Sequence, residues 1–216
     1  MARSWRAIRG QRPLNEAQVT AYRRLMEAEL QLAEARRRRG VSQAAIADAT
    51  QAPLDENMRG VDGCSIPTYA IPLRALARGL ARFATGQGLS PARAQAAERI
   101  RAAVAAHPAL VAGPGRFDTE VMTILGRRAF TKAGAEGVFC AALPALGLGI
   151  AVKADDGGAR AAQAMTAALL SRFGAFGDAL NARLARFITP RIVNWNGFEV
   201  GVLRPAGPLA RERMDL

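Results

Sequence analysis

Lysine is almost absent from this chain of 216 residues, although the chain is strongly basic. Thirty Lys and Arg residues stand against eighteen Asp and Glu, which gives a formal net charge of +12. Lys132 and Lys153 are the only lysines, so nearly all of the positive charge is arginine. A GC-rich coding sequence produces this bias without selection for a ligand. Composition therefore explains the charge slightly better than a nucleic-acid partner does.

Histidine and cysteine are also scarce, which excludes several kinds of site. Two cysteines cannot form a disulfide framework, and no C-x-x-C pair or P-loop is present. There is no G-x-S-x-G motif either. A Ser-His-Asp triad would depend on His107, which precedes Pro108 at a predicted helix end. That place favours a cap or surface residue.

Long hydrophobic runs are missing. The longest uncharged stretch, residues 137–152, is shorter than a bilayer requires and is interrupted by proline and glycine. The first twelve residues contain four arginines and no apolar segment follows them, which argues against a secretory signal peptide. The sequence therefore predicts a cytoplasmic protein without a membrane segment.

What the chain does have is enough apolar content for a core, because half of its residues are hydrophobic. Residues 1–57 are predicted to form a basic helical segment, with helices over 15–39 and 42–49 and a linker over 53–57. The positive charge continues beyond this segment, which weakens the nucleic-acid interpretation. Residues 58–206 are predicted as a second part, followed by a tail over 207–216.

The second part is predicted to have an α/β (α+β) fold, with an antiparallel sheet flanked by helices. Short connections between strands indicate a meander of neighbouring strands. Residues 60–67 are predicted as a loop, and residues 117–125 are ambiguous between helix and strand. The predicted helices cover 71–83, 91–107, 159–173 and 176–187, and the predicted strands cover 128–132, 138–143, 146–153 and 198–204.

Lys132 is a candidate catalytic residue because a lysine persists where the chain otherwise uses arginine. A desolvated lysine can lose its proton and act as a general base, whereas arginine cannot. The N–H groups of Ala135, Glu136 and Gly137 in the next turn are candidate oxyanion donors. The alternative is a surface lysine beside a hairpin. Lys153 is predicted to be an ion-paired strand end.

Cys64 lies in a glycine-rich loop beside Asp62. A thiol in such a loop can be a nucleophile or a metal ligand. No histidine or second ligand is near it in sequence, so a buried and inert cysteine remains an equal alternative. Cys140, in the middle of a predicted strand, is predicted to lie in the core.

Several blocks, in their order and spacing, resemble the thermolabile, rhizobial-type L-asparaginases (asparaginase II). The resemblance covers about residues 58–205. The blocks are GVDGC at 60–64, YAIPL at 69–73, HP at 107–108, VAG at 111–113, RFDT at 116–119, KAGAEGVFC at 132–140, GLGIAVK at 147–153, DDG at 155–157, NWNG at 194–197 and VG at 200–201.

The resemblance implies a fold similar to that of serine β-lactamases and serine-dependent glutaminases, of which this chain would hold a part. It implies hydrolysis of L-asparagine to L-aspartate and ammonia by a serine that a lysine activates. Lys132 would be the catalytic lysine of a Lys-x-Gly strand, with Ala135, Glu136 and Asp62 at the oxyanion and substrate. Cys64 is similar to a cysteine that binds zinc in family members, and no cofactor is otherwise required.

The chain departs from the family where the nucleophile belongs. Family members carry a Ser-x-x-Lys pair upstream, and none of the five serines here has lysine three residues on. The Cys-x-x-Lys that would complete a zinc site with Cys64 is missing too. Residues 1–57 do not resemble the family. We therefore expect a truncated, C-terminal portion of such an enzyme, with little or no activity alone.

Three functions stay open at this level. The first is an asparaginase-family amidohydrolase, acting as a homodimer or with a complementing N-terminal fragment. The second is a non-catalytic fragment or a structural protein that depends on a partner. The third, a basic nucleic-acid-binding module, is the least favoured because aromatic residues make up only 6% of the chain.

Overall fold

A computed structural model describes residues 43–52, 56–61 and 67–210, together with residues 16, 20 and 54. The chain divides into two compact units, Met1–Ala45 and Ile46–Leu216, and the strands of the described part all lie in the second. Apart from residues 16 and 20, which are helical, the helix predicted over 15–39 lies outside the described residues. Residues 62–66 of the predicted loop also lie outside them.

Helices and short strands alternate along the described part of the chain. None of the helices there is both long and apolar enough to cross a membrane. The helices are α1 (Gln43–Thr50), α2 (Leu73–Thr85), α3 (Pro91–Ala106), α4 (Ala109–Ala112), α5 (Phe117–Leu125), α6 (Ala159–Phe173) and α7 (Asp178–Ile188). The strands are β1 (Arg59–Val61), β2 (Pro67–Tyr69), β3 (Phe130–Ala133), β4 (Val138–Leu143), β5 (Leu148–Lys153), β6 (Arg191–Val193) and β7 (Glu199–Val202).

The antiparallel meander is confirmed. Strands β3, β4 and β5 form a three-stranded sheet in that order, with β4 in the centre. Lys132 lies opposite Cys140, and Cys140 lies opposite Ala151. These three residues therefore share one face of the sheet, because side chains alternate between faces along each strand. Phe139, opposite Val152, belongs to the other face.

The other face carries the main hydrophobic core. Phe139, Ala141 and Leu143 of β4 are all buried, as are Ile150 and Val152 of β5. Helices α5, α6 and α7 cover them. The ring of Phe117 meets the rings of Phe139 and Phe187 edge to face, with centroids 5.1 and 5.3 Å apart. Alternate side chains of the strands and one face of each helix thus meet in one continuous apolar layer.

Helix α2 covers the opposite face, where small residues let it come close. Gly149 of β5 lies directly beneath the backbone of Ala77 and Ala81. A Cβ on Gly149 would stand 1.8 Å from the carbonyl oxygen of Ala77. The ring of Phe83, on α2, also packs on the ring of Phe130 on β3, with centroids 5.1 Å apart. The described part of the sheet is therefore covered on both sides.

The structure corrects some sequence predictions. Residues 59–61 and 67–69 pair as antiparallel strands, although residues 60–67 were predicted as a loop. Strand β6 was not predicted, and it pairs with β7 in a two-stranded hairpin. The ambiguous segment over 117–125 is helix α5, which has Asp118 and Glu120 in its first turn, where acidic residues favour a helix.

Gly149→Ala is expected to destabilise the fold by about 3 kcal/mol or more, because the added methyl group would overlap the backbone of α2. The matched control is Gly201→Ala in β7, where the nearest atom to a new Cβ is 3.7 Å away and a change within about 0.5 kcal/mol is expected. Urea denaturation measures both. Equal stability of the two variants would contradict the close approach of α2 to the sheet.

Candidate active site

Lys132 lies on an edge strand. Within the described residues, β3 pairs only with β4, so the other edge of β3 is free of strand partners. Lys132 is exposed, and its Nζ donates a hydrogen bond to the carbonyl oxygen of Ala133 at 2.7 Å. Gly134 N–H points to β4, where it donates to the carbonyl oxygen of Val138. Because backbone groups alternate in direction, those of Ala133 point to the free edge.

Asp118, on α5, meets this free edge. Its side chain is 3% exposed, and Oδ1 accepts a hydrogen bond of 2.9 Å from the N–H of Ala133. Burial raises the pKa of Asp118 above that of an ordinary aspartate. The Ala133 hydrogen bond and the positive charges of Lys132 and Arg116 oppose that rise.

Sequence reasoning gave Asp118 no role, although the residue lies in the RFDT block. The signal was an acidic residue in the first turn of a segment that is otherwise largely apolar. An acidic residue in the first turn of a helix is explained by its favourable interaction with the helix dipole, so the sequence indicated no further role. The contact with β3 joins residues 15 positions apart, and sequence spacing does not reveal it.

The turn after β3 exposes unpaired backbone donors. Val138 N–H closes the turn by donating to the carbonyl oxygen of Ala135 at 3.0 Å. The N–H groups of Ala135 and Glu136 themselves have no acceptor among the described residues. Both residues are exposed. The structure thus places Lys132, Ala135 and Glu136 on the same strand end and turn.

The backbone of this turn is strained at one residue. Glu136 has a φ of +53°, a left-handed conformation that costs a non-glycine residue roughly 1–2 kcal/mol. Gly137 follows with a φ of +70°, and a Cβ there would stand 2.8 Å from the backbone of Gly157. A glycine at position 137 is therefore favoured by both its backbone conformation and its packing.

Cys140 faces Lys132 across the strands, and it is half-buried, not in the core as predicted. Burial raises the pKa of the Cys140 thiol above its ordinary value, and the charge of Lys132 opposes this rise. A raised pKa keeps the thiol protonated and poorly nucleophilic.

Asp62 and Cys64 lie outside the described residues, so their predicted roles remain predictions. Among the residues that are described, no group of three or more His, Cys, Asp or Glu side chains could hold a metal ion.

Lys153, predicted to be ion-paired, instead donates to the carbonyl oxygen of Ala154. It forms no salt bridge within the described part of the chain.

Glu136→Gly is expected to stabilise the fold by about 0.5–1 kcal/mol, because glycine adopts a positive φ without the Cβ clash. Ala135→Gly is the matched control, since Ala135 does not have a positive φ. We expect the control to lose stability through the added freedom of the unfolded chain. Thermal or urea unfolding measures the stability of both variants. If Glu136→Gly loses as much stability as Ala135→Gly, backbone strain at Glu136 is contradicted.

Comparison with known proteins agrees with the resemblance of the sequence blocks. The family model L-asparaginase II matches residues 32–205, a range that begins upstream of residue 58 and includes Lys132, Ala135 and Glu136. Asp62 and Cys64 also fall inside the matched range. No curated protein matches the chain. The match covers well over half of the sequence, and the chain therefore belongs to the L-asparaginase II family.

Proposed function

We propose that the chain provides the lysine-bearing strand and the oxyanion donors of a site that hydrolyses L-asparagine to L-aspartate and ammonia. Family membership supports an asparaginase-type function in general. The observation that carries the finer proposal is the turn after β3, where two backbone N–H groups lack acceptors among the described residues beside the exposed Lys132. Unpaired donors of this kind can bind a developing negative charge.

Lys132 is the proton-transferring group in this proposal. Its amine takes the proton from an attacking hydroxyl, and it returns a proton to the departing nitrogen as the C–N bond breaks and ammonia forms. Water then cleaves the resulting acyl ester, which releases L-aspartate and restores the hydroxyl. Lys132 is exposed at a free strand edge, so it is reachable from outside the described core. The desolvation that lets a lysine act as a base must therefore come from the groups that cover it in the complete site. Lysine suits this work because its amine can be neutral or charged, whereas arginine stays charged.

The N–H groups of Ala135 and Glu136 are the oxyanion donors in this proposal. Attack on the side-chain amide moves negative charge onto the carbonyl oxygen, and fixed donors stabilise it without reorganising. Removing one such donor in other enzymes lowers kcat by about 10²–10³-fold. The strained backbone at Glu136 fits this role, because strain of this kind concentrates at functional sites.

The Ser-x-x-Lys pair that carries the nucleophile in the family is absent from this sequence. No serine has a lysine three residues on. Of the serines in the described part, Ser90 precedes α3 at its N-cap, and the hydroxyl of Ser171 donates to Asn181 Oδ1 at 3.1 Å. Neither lies beside Lys132 in the sheet. We propose that a Ser-x-x-Lys pair outside these 216 residues supplies the nucleophile, and that these residues alone have little or no activity.

Asp62 as a substrate-binding residue and Cys64 as a zinc ligand belong to the proposal by resemblance. A zinc ion held there would act on a bound water or carbonyl as a Lewis acid. Because the described residues offer no three-ligand group, no step of this proposal passes through a metal.

The hairpin of β6 and β7 supports dependence on a partner. Trp195 at its tip is fully exposed, and Phe198 is 67% exposed. Val193 and Val200 are exposed on its strands as well. Apolar patches of this kind mark interaction surfaces. They favour a complementing N-terminal polypeptide or a second copy of the chain, and they suit a structural partner-dependent protein equally.

The purified chain is expected to release no ammonia from L-asparagine beyond a Lys132→Ala control. Co-expression with the N-terminal portion of a full-length family member, which carries Ser-x-x-Lys, is expected to restore release. The restored activity should fall by at least about 10²-fold in Lys132→Ala, the usual size of a general-base contribution. A coupled assay measures ammonia release from four samples: the chain and Lys132→Ala, each alone and each co-expressed with the N-terminal portion.

Robust turnover by the chain alone, abolished in Lys132→Ala, would contradict the missing nucleophile. A partner that raises the melting temperature without ammonia release from any sample would instead favour the structural alternative. Restored activity that Lys132→Ala leaves unchanged would contradict the role of Lys132.

A further inference from the structure

The buried carboxylate of Asp118 has no part in the proposed reaction. Among the described residues, it is the only ionisable side chain that is buried, and the other buried polar side chains are threonines. Burying a carboxylate is unfavourable unless charge or hydrogen bonds compensate. The burial of the Asp118 carboxylate therefore requires an explanation.

Helix α5 holds Asp118 rigidly against the sheet. The hydroxyl of Thr119 donates to the carbonyl oxygen of Gly113 at 2.6 Å, which fixes the chain before the helix. Phe117 packs between the rings of Phe139 and Phe187 on the core side. Asp118 therefore has little freedom to move relative to β3.

Both backbone groups of Ala133 are engaged at the free edge of β3. Its N–H donates to Asp118 Oδ1, and its carbonyl oxygen accepts from Lys132 Nζ. The carboxylate and the ammonium thus both contact Ala133 at this edge. Their charges interact, since the positive charge of Lys132 favours the ionised form of Asp118.

The other charge that acts on Asp118 is Arg116, at the N-cap of its own helix. Helix α4, which packs on α5 and β3, carries no ionisable side chain. Glu120, the other acid in the first turn of α5, pairs with Arg186 on α7 instead. Lys132 is the larger of the two positive influences on Asp118.

We propose that Asp118 is a positioning residue for Lys132, because its carboxylate fixes the free edge of β3 at Ala133, the residue whose carbonyl oxygen also holds the Lys132 side chain. The inference rests on the role of Lys132 in the proposed function. By fixing Ala133, Asp118 also fixes the start of the turn that presents Ala135 and Glu136. The amine and the oxyanion donors thereby keep one geometry.

The amide proton of Ala133 tests this directly, because its chemical shift follows the ionisation of its acceptor. In the full chain labelled with ¹⁵N, it is expected to move downfield as Asp118 ionises, since a charged acceptor makes the stronger hydrogen bond. The midpoint should lie above the range of an ordinary aspartate, because burial raises the pKa of Asp118. Asp118→Asn should abolish this titration, and Glu120→Gln should leave it intact.

Two charge variants separate positioning from mere packing. Lys132→Met should move the midpoint further upward, because it removes a charge that lowers the pKa of Asp118. Arg116→Gln should move it upward by less, since Arg116 is the weaker influence. Lys132 is exposed, so its variant is expected to fold even if Asp118→Asn does not. A midpoint that Lys132→Met leaves unchanged would overturn the proposal.

These outcomes are independent of catalysis. If the complemented enzyme shows no ammonia release while the Ala133 titration responds to Lys132→Met, the proposed function fails and the Asp118–Lys132 coupling stands. If ammonia release depends on Lys132 while the Ala133 titration is flat, the positioning role fails and the proposed function stands.

Discussion

Helix α2 approaches β5 so closely at Gly149 that a methyl group there would overlap the carbonyl oxygen of Ala77. On the opposite face, α5, α6 and α7 bury the apolar side chains of β4 and β5. The sheet is thus held between two layers, and interiors packed this tightly do not tilt or slide without loss of contacts. The position of β3, and with it Lys132, is a consequence of this double cover.

The free edge of β3 carries the polar groups of the candidate site, next to the packed sheet. Its inner side is tied to β4, while its outer side presents Ala133 to Asp118 and to Lys132. The next turn leaves the N–H groups of Ala135 and Glu136 without acceptors in the described part of the chain. A rigid sheet with an open, polar edge suits a site whose donors must keep their places during reaction.

Much of this fold could be predicted from the sequence because its patterns are local. The meander follows from the short connections between its strands, and the helix predicted over 159–173 is α6. Strands of three residues, such as β1 and β6, carry too little pattern to predict. Lys132 was predicted from its rarity, and the N–H groups of Ala135 and Glu136 from the glycine-rich turn that follows it. The contact between Asp118 and Ala133 could not be predicted, because it depends on how α5 packs against β3.

The central claim is that the turn after β3 receives the amide of L-asparagine. Titrating the ¹⁵N-labelled chain with L-asparagine tests it most directly, with the backbone amides followed one by one. The account predicts a saturable shift of the Ala135 and Glu136 signals, with the Gly201 signal in β7 unmoved. Turn signals that stay fixed at saturating L-asparagine, or shifts confined to other parts of the chain, would contradict it.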